Sequence, residues 1–344
     1  MKPQQNVDLS KYSSMRLGGR ADYLVTVHSK TELTQAIVWA QSHGLPMIMI
    51  GGGTNIYWKD DGFRGLVIVN KIAGYDDQPQ TDGSHLLTIG SGEIWDQVVA
   101  RSVEAGLTGI EALSLIPGTA GGTPVQNVGA YGQRISNVLV SLEAFDIQTG
   151  DFTVIQEADC AFGYRESRFK TTDRGRFFIT SIVLRLVQGN PEPPYYAAID
   201  DYLQKHPMDG PMTPAKLRTT VIAIRNLKLP DPTKIANNGS FFANPIVDAE
   251  TAKKLQKVFP DMPCWPGDGD TCKIPAAWLI ESVGLKGFHD PETGMATWHN
   301  HALVLVNEHA KTTDDLLRFK QRIVNTVEQK FGITLVQEPE LLPH

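Results

Sequence analysis

The chain has 344 residues, of which 41% are hydrophobic, and a formal net charge of −6. This acidic balance argues against nucleic acid as the main partner, because binding phosphates requires a basic stripe and none is visible. No apolar leader begins the chain and no apolar run approaches the ~18 residues of a membrane span, so we predict a cytoplasmic protein without membrane contact. Three cysteines without a CxxC pair predict neither a disulfide framework nor a metal site.

The first part of the chain alternates short strands with glycine-rich turns. Ser29 and Glu32 have the spacing of a capping box ahead of a helical pattern that Gly44 ends. Strands are predicted over 21–27, 46–50, 66–70 and 86–89, and a second helix over 95–104. The turn 90–95 opens that helix, but Trp95 stands where a dinucleotide fingerprint needs its third glycine, which argues against a dinucleotide fold of that type.

Two glycine-rich segments are the leading candidates for binding an anion. Residues 115–132, LIPGTAGGTPVQNVGAYG, hold five glycines and two prolines and no charged side chain. Glycine lets the main chain approach a ligand closely, and successive N–H groups can converge on a pyrophosphate. The turn 51–55, GGGTN, is a second candidate phosphate contact. The alternative is that the longer segment is a structural loop joining two elements.

The remaining chain is predicted to contain further strands and then mostly helices. Strands are predicted over 138–146, 152–155, 176–186 and 302–307, and helices after Thr213-Pro214 and near 248–258, 275–282 and 312–330. Six prolines between 189 and 214, together with Tyr195 and Tyr196, indicate a linker or a mobile covering loop. Because strands outnumber helices before this segment, we predict an α+β flavin or nucleotide domain, followed by a smaller α/β domain.

Four polar clusters are candidates for chemistry: residues 162–168, 237–245 and 337–340, and Arg225 with Lys228. An arginine can fork onto a carboxylate, and a lysine can hold a phosphate as a point charge. Each cluster also has a plainer interpretation, for example an exposed ion pair at 165–166 or a turn at 237–240. The motif GxSxG is absent from the sequence, so no serine nucleophile is indicated.

Six segments carry a family resemblance: GGGTN, IPGTAGGTPVQNVGAYG, FGYRESRFK, LKLPDP, NNGSFFANP and QEPE, in this order between Ser14 and Glu340. In combination they resemble the UDP-N-acetylenolpyruvoylglucosamine reductases (UDP-N-acetylmuramate dehydrogenases), and among these the class with a substrate-covering tyrosine loop. These are FAD enzymes of peptidoglycan precursor synthesis, and hence of cell wall biogenesis, cell shape and cell division. The resemblance implies an α+β chain with the vanillyl-alcohol oxidase-type (PCMH) FAD-binding fold of two subdomains, plus a C-terminal α/β substrate domain.

The resemblance also implies boundaries and residue roles. The implied segments are FAD-binding subdomains 1–72 and 73–188, a proline-rich substrate loop 189–213, a substrate-binding domain 214–330 and a C-terminal segment 331–344 that returns to the active site. Arg165, Ser240 and Glu338 match the catalytic residues of the family. The implied cofactor-binding residues are Gly51, Gly52, Gly53, Thr54, Asn55, Pro117, Gly118, Thr119, Ala120, Gly121, Gly122, Val125, Gln126, Asn127, Gly129, Ala130, Tyr131 and Arg225. The implied substrate-binding residues are Tyr164, Tyr196, Lys228, Asn244 and His301, with Tyr195 and His299 as close competitors.

The implied reaction uses FAD and NADPH on a UDP-sugar. NADPH reduces FAD and leaves, and the double bond of the enolpyruvyl UDP-sugar then accepts a hydride. Arg165 would stabilise charge growing on the pyruvyl carboxylate, Ser240 would deliver a proton, and Glu338 would orient Arg165 or hold a proton. Neither glycine-rich segment contains His or Cys, so we expect non-covalent FAD, and we expect a monomer. Two rival functions stay open: an oxygen-dependent FAD oxidase of the same wider superfamily and a non-enzymatic nucleotide-binding module.

Overall fold

The computed structural model describes residues 2–267 and 269–344. The chain forms two compact units, each assembled from separate segments. The first unit comprises the N-terminal residues up to Val7, Ala21–Gly52 and Arg64–Asn226. The second comprises Asp8–Arg20, Gly53–Phe63 and Leu227–His344. The five segments that the family resemblance implies stay a prediction.

A four-stranded sheet and one helix build the start of the first unit. The strand order is Gln4–Asp8, Arg20–Val27, Phe63–Asn70, Met47–Ile50, and the last two strands are parallel. Helix Lys30–Ser42 begins where the Ser29 side chain accepts a hydrogen bond from the Glu32 amide, which confirms the predicted helix start. Its buried residues, among them Leu33 and Ile37, pack against Leu66 and Ile68 of the sheet.

A larger antiparallel sheet forms the rest of the first unit's core. Its strand order is Asp151–Gln156, Leu139–Asp146, Phe177–Gln188, Ser84–Gly90, Tyr75–Pro79, with Leu107–Thr108 also paired to Phe177–Gln188. Helix Trp95–Glu104 has the predicted bounds and packs Trp95, Val98 and Val99 against Leu87 and Ile89. The predicted hairpin is confirmed, because Leu139–Asp146 pairs with Asp151–Gln156. Short 3-10 turns cover Glu111–Leu113, Ala120–Gly122, Ile135–Asn137 and Glu157–Cys160. Two short strands are Gly129–Ala130 and Gln133–Arg134. Helices cover Ala197–Lys205 and Pro214–Lys228.

The second unit is a mixture of small sheets around a helical core. One sheet has the strand order Ala236–Ser240, His301–Asn307, Met295–Trp298, His289–Asp290. A second sheet has the strand order Ile246–Asp248, Thr271–Lys273, Trp265–Pro266. In a third, strand Glu340–Leu342 pairs in parallel with Ile56–Trp58. The helices are Ala249–Val258, Ala276–Ser282 and Thr313–Phe331, and a 3-10 turn covers Leu9–Tyr12. The longest helix starts with a capping box between Thr312 and Asp315 and ends at Gly332, whose φ of 67° is left-handed. Its Phe319, Ile323 and Val327 are buried in the unit's core.

The proline-rich segment 189–214 contains a helix, so the prediction that this segment has no core element is wrong. Helix Ala197–Lys205 buries Ile199, which belongs to one apolar cluster with Leu217 and Val221 of the next helix. The prolines precede and follow this helix and leave residues 195–206 free to form it. The prediction used the composition of the whole segment, in which the prolines outweigh the signal of a nine-residue helix.

The prediction that the cysteines form no disulfide is also wrong. Cys264 and Cys272 form one, with their Cα atoms 5.5 Å apart, because pairing of Trp265–Pro266 with Thr271–Lys273 brings them together. Cys160 is free, and burial raises the pKa of its thiol to about 12. Within residues 2–267 and 269–344, no group of three or more His, Cys, Asp or Glu side chains is arranged to hold a metal. In the same residues, no helix has the length and apolar character needed to cross a membrane.

Gly62 provides a stability prediction for the second unit. Its φ is 73°, and an added Cβ would collide with the Arg20 carbonyl oxygen and lie 2.5 Å from the Arg20 nitrogen. Gly284 in the same unit has a φ of 76° but open space around an added Cβ, so Gly284→Ala tests the backbone strain alone, about 1–2 kcal/mol. We expect Gly62→Ala to cost about 2 kcal/mol more than Gly284→Ala in denaturant unfolding. Equal losses would show that the collision with Arg20 is relieved without cost.

Candidate active site

The two glycine-rich segments meet within the first unit. A Cβ added to Gly51 would collide with the Thr119 hydroxyl, and one added to Gly121 would lie 2.5 Å from the Ser91 Cβ. Gly51 is therefore required for close packing of the two segments, and Gly121 for close packing of residues 115–132 on Ser91. Around Gly122 and Gly132, by contrast, an added Cβ would meet no atom within 4 Å. One side of residues 115–132 is thus packed, and the backbone at these two glycines borders open space.

The end of the GGGTN turn belongs to the second unit and is bound to the C-terminal segment. Gly53 has a φ of 68°, and its carbonyl accepts a hydrogen bond from the Ser14 amide at 3.0 Å. The Asn55 carbonyl accepts one from the Glu340 amide at 2.9 Å, and Asn55 Nδ2 donates to the Glu338 carbonyl at 3.4 Å. These bonds attach the C-terminal segment to Asn55; the implied return of residues 331–344 to the active site stays a prediction.

Arg225 lies at the end of the first unit, beside residues 115–132. Its guanidinium donates to the Leu115 carbonyl at 3.3 Å and to the Tyr131 hydroxyl. Burial lowers the pKa of Arg225 and raises that of Tyr131. Arg225 Nε is buried and has no hydrogen-bond partner among the described residues. A desolvated guanidinium with a donor unused is suited to an anionic ligand.

Arg165 lies at the tip of a tight turn in the first unit. Gly163 and Glu166 exchange backbone hydrogen bonds of 3.0 and 3.4 Å across this turn, and Arg165 has a left-handed φ of 60°. Its Nη2 donates to the Gly129 carbonyl at 2.8 Å, and its guanidinium carbon is 5.7 Å from the centre of the Tyr164 ring. The side chain is half-buried. A non-glycine residue in this backbone conformation is held there by its surroundings, as is common at functional sites.

Ser240 and Glu338 lie on neighbouring segments of the second unit. Ser240 pairs with Val304 immediately after a β-bulge, at which Gly239 has a φ of 71°. A bulge changes the direction of the side chains that follow it. The Glu338 amide donates to the Phe241 carbonyl at 2.9 Å, and the Glu338 side chain is buried. Ser240 and Glu338 thus belong to two adjacent segments of the second unit, while Arg165 belongs to the first.

The residues expected to hold substrate differ in their surroundings. Tyr196 is exposed and edge-on to Tyr131, with ring centres 5.8 Å apart, whereas the Tyr195 hydroxyl donates to the Pro191 carbonyl at 3.1 Å. The structure therefore favours Tyr196 over Tyr195 as a group open to a ligand. Lys228 is exposed at the last position of helix Pro214–Lys228.

Asn244 and His301 are partly engaged by the second unit itself. Asn244 Oδ1 accepts a 2.9 Å hydrogen bond from the Ala276 amide, at the start of a helix. His301 Nδ1 accepts one of 3.3 Å from the Leu303 amide, which leaves Nε2 to carry the proton of the neutral ring. His299, the competitor of His301, is exposed and tilted against Trp298 with ring centres 4.1 Å apart.

Sequence reasoning missed Asp96, which fixes the start of the glycine-rich loop. Asp96 accepts hydrogen bonds from the Leu115 amide at 2.5 Å and from Arg218 at 2.6 and 3.0 Å. Burial disfavours the Asp96 carboxylate, but the hydrogen bonds from Arg218 and Leu115 outweigh it and lower its pKa. A charged residue in the first turn of a helix is too common to single out, so the sequence carried no signal for this contact.

The sequence assigns Gln337 to the QEPE cluster without a role of its own, but its side-chain amide makes three hydrogen bonds. Gln337 Oε1 accepts from the Tyr57 hydroxyl at 3.0 Å and from Lys320 Nζ at 3.1 Å, and Nε2 donates to the Pro339 carbonyl at 2.9 Å. Burial raises the pKa of Tyr57 to about 12 and lowers that of Lys320. These bonds hold the residue before Glu338 in one orientation.

Comparison with known proteins identifies the family. Residues 21–156 match the family model "FAD binding domain", and residues 231–342 match "UDP-N-acetylenolpyruvoylglucosamine reductase, C-terminal domain". The UDP-N-acetylenolpyruvoylglucosamine reductase of Ralstonia nicotianae is 37% identical over 97% of both chains, and that of Neisseria gonorrhoeae is 37% identical over 100% of this chain and 99% of its own. This chain belongs to the UDP-N-acetylenolpyruvoylglucosamine reductase family. The resemblance predicted from the six motifs is confirmed.

The fold of the reductase family is also confirmed. The crystal structure of UDP-N-acetylenolpyruvylglucosamine reductase from Thermus caldophilus covers all of this chain, with a TM-score of 0.68 at 23% identity. Together with the FAD-binding match over residues 21–156, this supports the predicted α+β class with an FAD-binding fold and a C-terminal substrate domain.

The residues of the first unit fit FAD, the cofactor of this reductase family. Arg225 has a buried donor nitrogen without a partner among the described residues, and the backbone at Gly122 and Gly132 borders open space. A diphosphate requires such donors and backbone that it can approach closely. Neither glycine-rich segment contains His or Cys, the residues that often attach a flavin covalently.

Proposed function

We propose that this chain catalyses the NADPH-dependent reduction of UDP-N-acetylenolpyruvoylglucosamine to UDP-N-acetylmuramate, a step of peptidoglycan precursor synthesis. The observation that carries the proposal is the full-length similarity to reductases of that name, at 37% identity. Bound FAD supplies the redox chemistry, since it accepts a hydride from NADPH and transfers it to the enolpyruvyl double bond. We further propose that the enzyme acts as a monomer in the cytoplasm.

We propose that the glycine-rich segments hold FAD mainly through backbone groups. Backbone N–H groups would bind the diphosphate, with Arg225 adding charge. The proposed cofactor-binding residues are Gly51 to Asn55, Pro117 to Gly122, Val125 to Asn127, Gly129 to Tyr131, and Arg225. Non-covalent binding follows from the absence of His and Cys in these segments, so unfolding the protein should release the flavin.

Arg165 is proposed to stabilise the negative charge that develops on the substrate carboxylate. A guanidinium meets a carboxylate in two places and stays protonated, so its attraction grows as the charge grows. Its contact with the Gly129 carbonyl holds the side chain against the proposed FAD-binding loop. This arrangement favours a fixed donor that needs little reorganisation during the reaction.

Ser240 is proposed to deliver the proton to carbon, and Glu338 to take part in proton handling beside it. Ser240 follows a bulge that redirects its strand, and its hydroxyl is a neutral proton donor. Glu338 lies on the neighbouring segment, fixed by the bond from its amide to Phe241 and by the bound amide of Gln337. A carboxyl group can hold a proton or orient a hydrogen-bond donor, which is the role proposed for Glu338.

The UDP-sugar is proposed to contact Tyr164, Tyr196, Lys228, Asn244 and His301. Lys228 is an exposed point charge suited to a diphosphate, and Asn244 keeps its Nδ2 donor while Oδ1 caps a helix.

Tyr196 gives a prediction on substrate affinity. We expect Tyr196→Phe to raise the substrate KM by about three- to tenfold, since one neutral hydrogen bond contributes ~1 kcal/mol. Tyr195→Phe is the matched control, because its hydroxyl bonds to the Pro191 carbonyl, and its KM should stay at the wild-type value. Steady-state kinetics at saturating NADPH measure both. An unchanged KM in Tyr196→Phe, or a larger change in Tyr195→Phe, would contradict the assignment.

The proposed function is tested by the colour and substrate requirement of the purified enzyme. We expect a yellow protein that oxidises NADPH rapidly only when the enolpyruvyl UDP-sugar is present. Rapid oxidation by molecular oxygen without the UDP-sugar would instead support the oxidase alternative. A colourless protein that binds nucleotides without turnover would support the nucleotide-binding module.

A further inference from the structure

Asn127 connects the glycine-rich loop to the turn that carries Arg165, within the first unit. Its side chain is 5% exposed and its backbone is left-handed, with a φ of 44°. Nδ2 donates to the Gly163 carbonyl at 3.0 Å, and Oδ1 accepts from the Ser136 amide at 3.1 Å. Both ends of the amide are therefore engaged with the protein.

The Gly163 carbonyl is the point at which Asn127 acts on the turn. This carbonyl also accepts the Glu166 amide at 3.4 Å, which closes the turn around Tyr164 and Arg165. Arg165 has a φ of 60°, a conformation that side-chain-bearing residues rarely adopt without support. A bond from Asn127 to the base of the turn is such a support.

Two further hydrogen bonds join the glycine-rich loop to the segment around Arg165. Ser167 Oγ donates to the Val125 carbonyl at 2.5 Å, and Arg165 Nη2 donates to the Gly129 carbonyl at 2.8 Å. On the turn, these two bonds attach Arg165 and Ser167, whereas the Asn127 bond attaches Gly163, which precedes Arg165. Loss of the Asn127 side chain therefore releases the Gly163 end of the turn while the other two bonds keep the turn attached.

We infer that Asn127 is a positioning residue for Arg165: its side-chain amide serves the turn, and only its backbone is left to the proposed contact with the cofactor. The inference rests on the proposed catalytic role of Arg165. A displacement of the guanidinium by a fraction of an ångström weakens its interaction with growing charge on the substrate carboxylate. The reduction of the enzyme by NADPH does not use that interaction.

The test uses holoenzyme variants and separates the two half-reactions. Asn127→Asp keeps the acceptor for the Ser136 amide but places a second oxygen against the Gly163 carbonyl. Asn127→Gly removes the side chain and suits the left-handed backbone, so it guards against a failure of the first variant to fold. Thr180→Val is the control, a fully buried residue of the same unit whose hydroxyl bonds to Glu143 at 2.6 Å.

We expect both Asn127 variants to slow anaerobic reoxidation by the enolpyruvyl UDP-sugar by about 10- to 100-fold. Reduction by NADPH and the FAD content should match the wild type, and calorimetric binding of the UDP-sugar to the oxidised enzyme should weaken. Thr180→Val should lower the melting temperature without changing either half-reaction. In an Arg165→Lys background, Asn127→Asp should have little further effect, because residues that act through one another are not additive.

Additive effects of Asn127→Asp and Arg165→Lys would overturn the inference and leave the proposed function intact. So would a wild-type reoxidation rate in both Asn127 variants while Arg165→Lys is slow. Loss of FAD from Asn127→Gly would assign the side chain to the cofactor instead. A wild-type rate in Arg165→Lys itself would contradict both the catalytic role of Arg165 and the positioning role built on it.

Discussion

Replacing Ser240 by alanine is expected to slow reoxidation of the reduced enzyme by the enolpyruvyl UDP-sugar by about 10²–10⁴-fold. The physical reason is that a positioned proton donor is removed at the step in which the substrate carbon is protonated. Reduction by NADPH should keep its wild-type rate, because no proton is delivered to the sugar in that half-reaction. Stopped-flow absorbance of the flavin measures both steps separately.

Ser240→Cys is the matched control for this prediction. It retains a donor hydrogen at the same point after the bulge, and we expect it to keep more activity than Ser240→Ala. The buried Phe241 and Phe242 that follow should hold the strand in either variant, so melting temperatures should stay close to the wild type. Equal slowing of both half-reactions in Ser240→Ala would contradict the proton-donor role.

The second large effect is expected for Arg165→Met, with about a 10²–10³-fold slower reoxidation by the UDP-sugar. Methionine keeps much of the length of the arginine side chain, but it has no positive charge to stabilise the negative charge that grows on the carboxylate. Arg165→Lys should fall between methionine and wild type, since an ammonium is a point charge without the fork. Rapid mixing of NADPH-reduced enzyme with substrate, at several substrate concentrations, separates the limiting rate from the affinity. A change confined to the affinity would make Arg165 a binding residue only.

Local signals in the sequence predicted much of the fold. Helix Trp95–Glu104 has the predicted bounds, and the Thr312 region starts a helix at an actual capping box. These features depend on residues a few positions apart. Helix Ala197–Lys205 was missed because neighbouring prolines dominate the composition of its segment. The disulfide between Cys264 and Cys272 was missed because it depends on the pairing of two very short strands.

For the candidate site, too, short motifs could be predicted from the sequence and long-range contacts could not. Arg165, Ser240 and Glu338 are predicted from the sequence because they lie in short motifs that occur in a family-specific order. The contacts that hold them were not predictable, since Gln337 meets Tyr57 across 280 residues and Asn127 meets Gly163 across 36. Such contacts depend on how distant segments pack, and a single sequence carries no local pattern for them.

In the proposed reaction, reducing equivalents from NADPH pass through this enzyme to the double bond of the enolpyruvyl UDP-sugar. An anaerobic single turnover tests this transfer: enzyme reduced with one equivalent of NADPH is mixed with the UDP-sugar, and flavin absorbance and product mass are followed together. We expect the yellow colour to return as one equivalent of UDP-N-acetylmuramate forms. An enzyme that stays bleached with the UDP-sugar, and regains its colour only when oxygen is admitted, would exclude the proposed reductase activity.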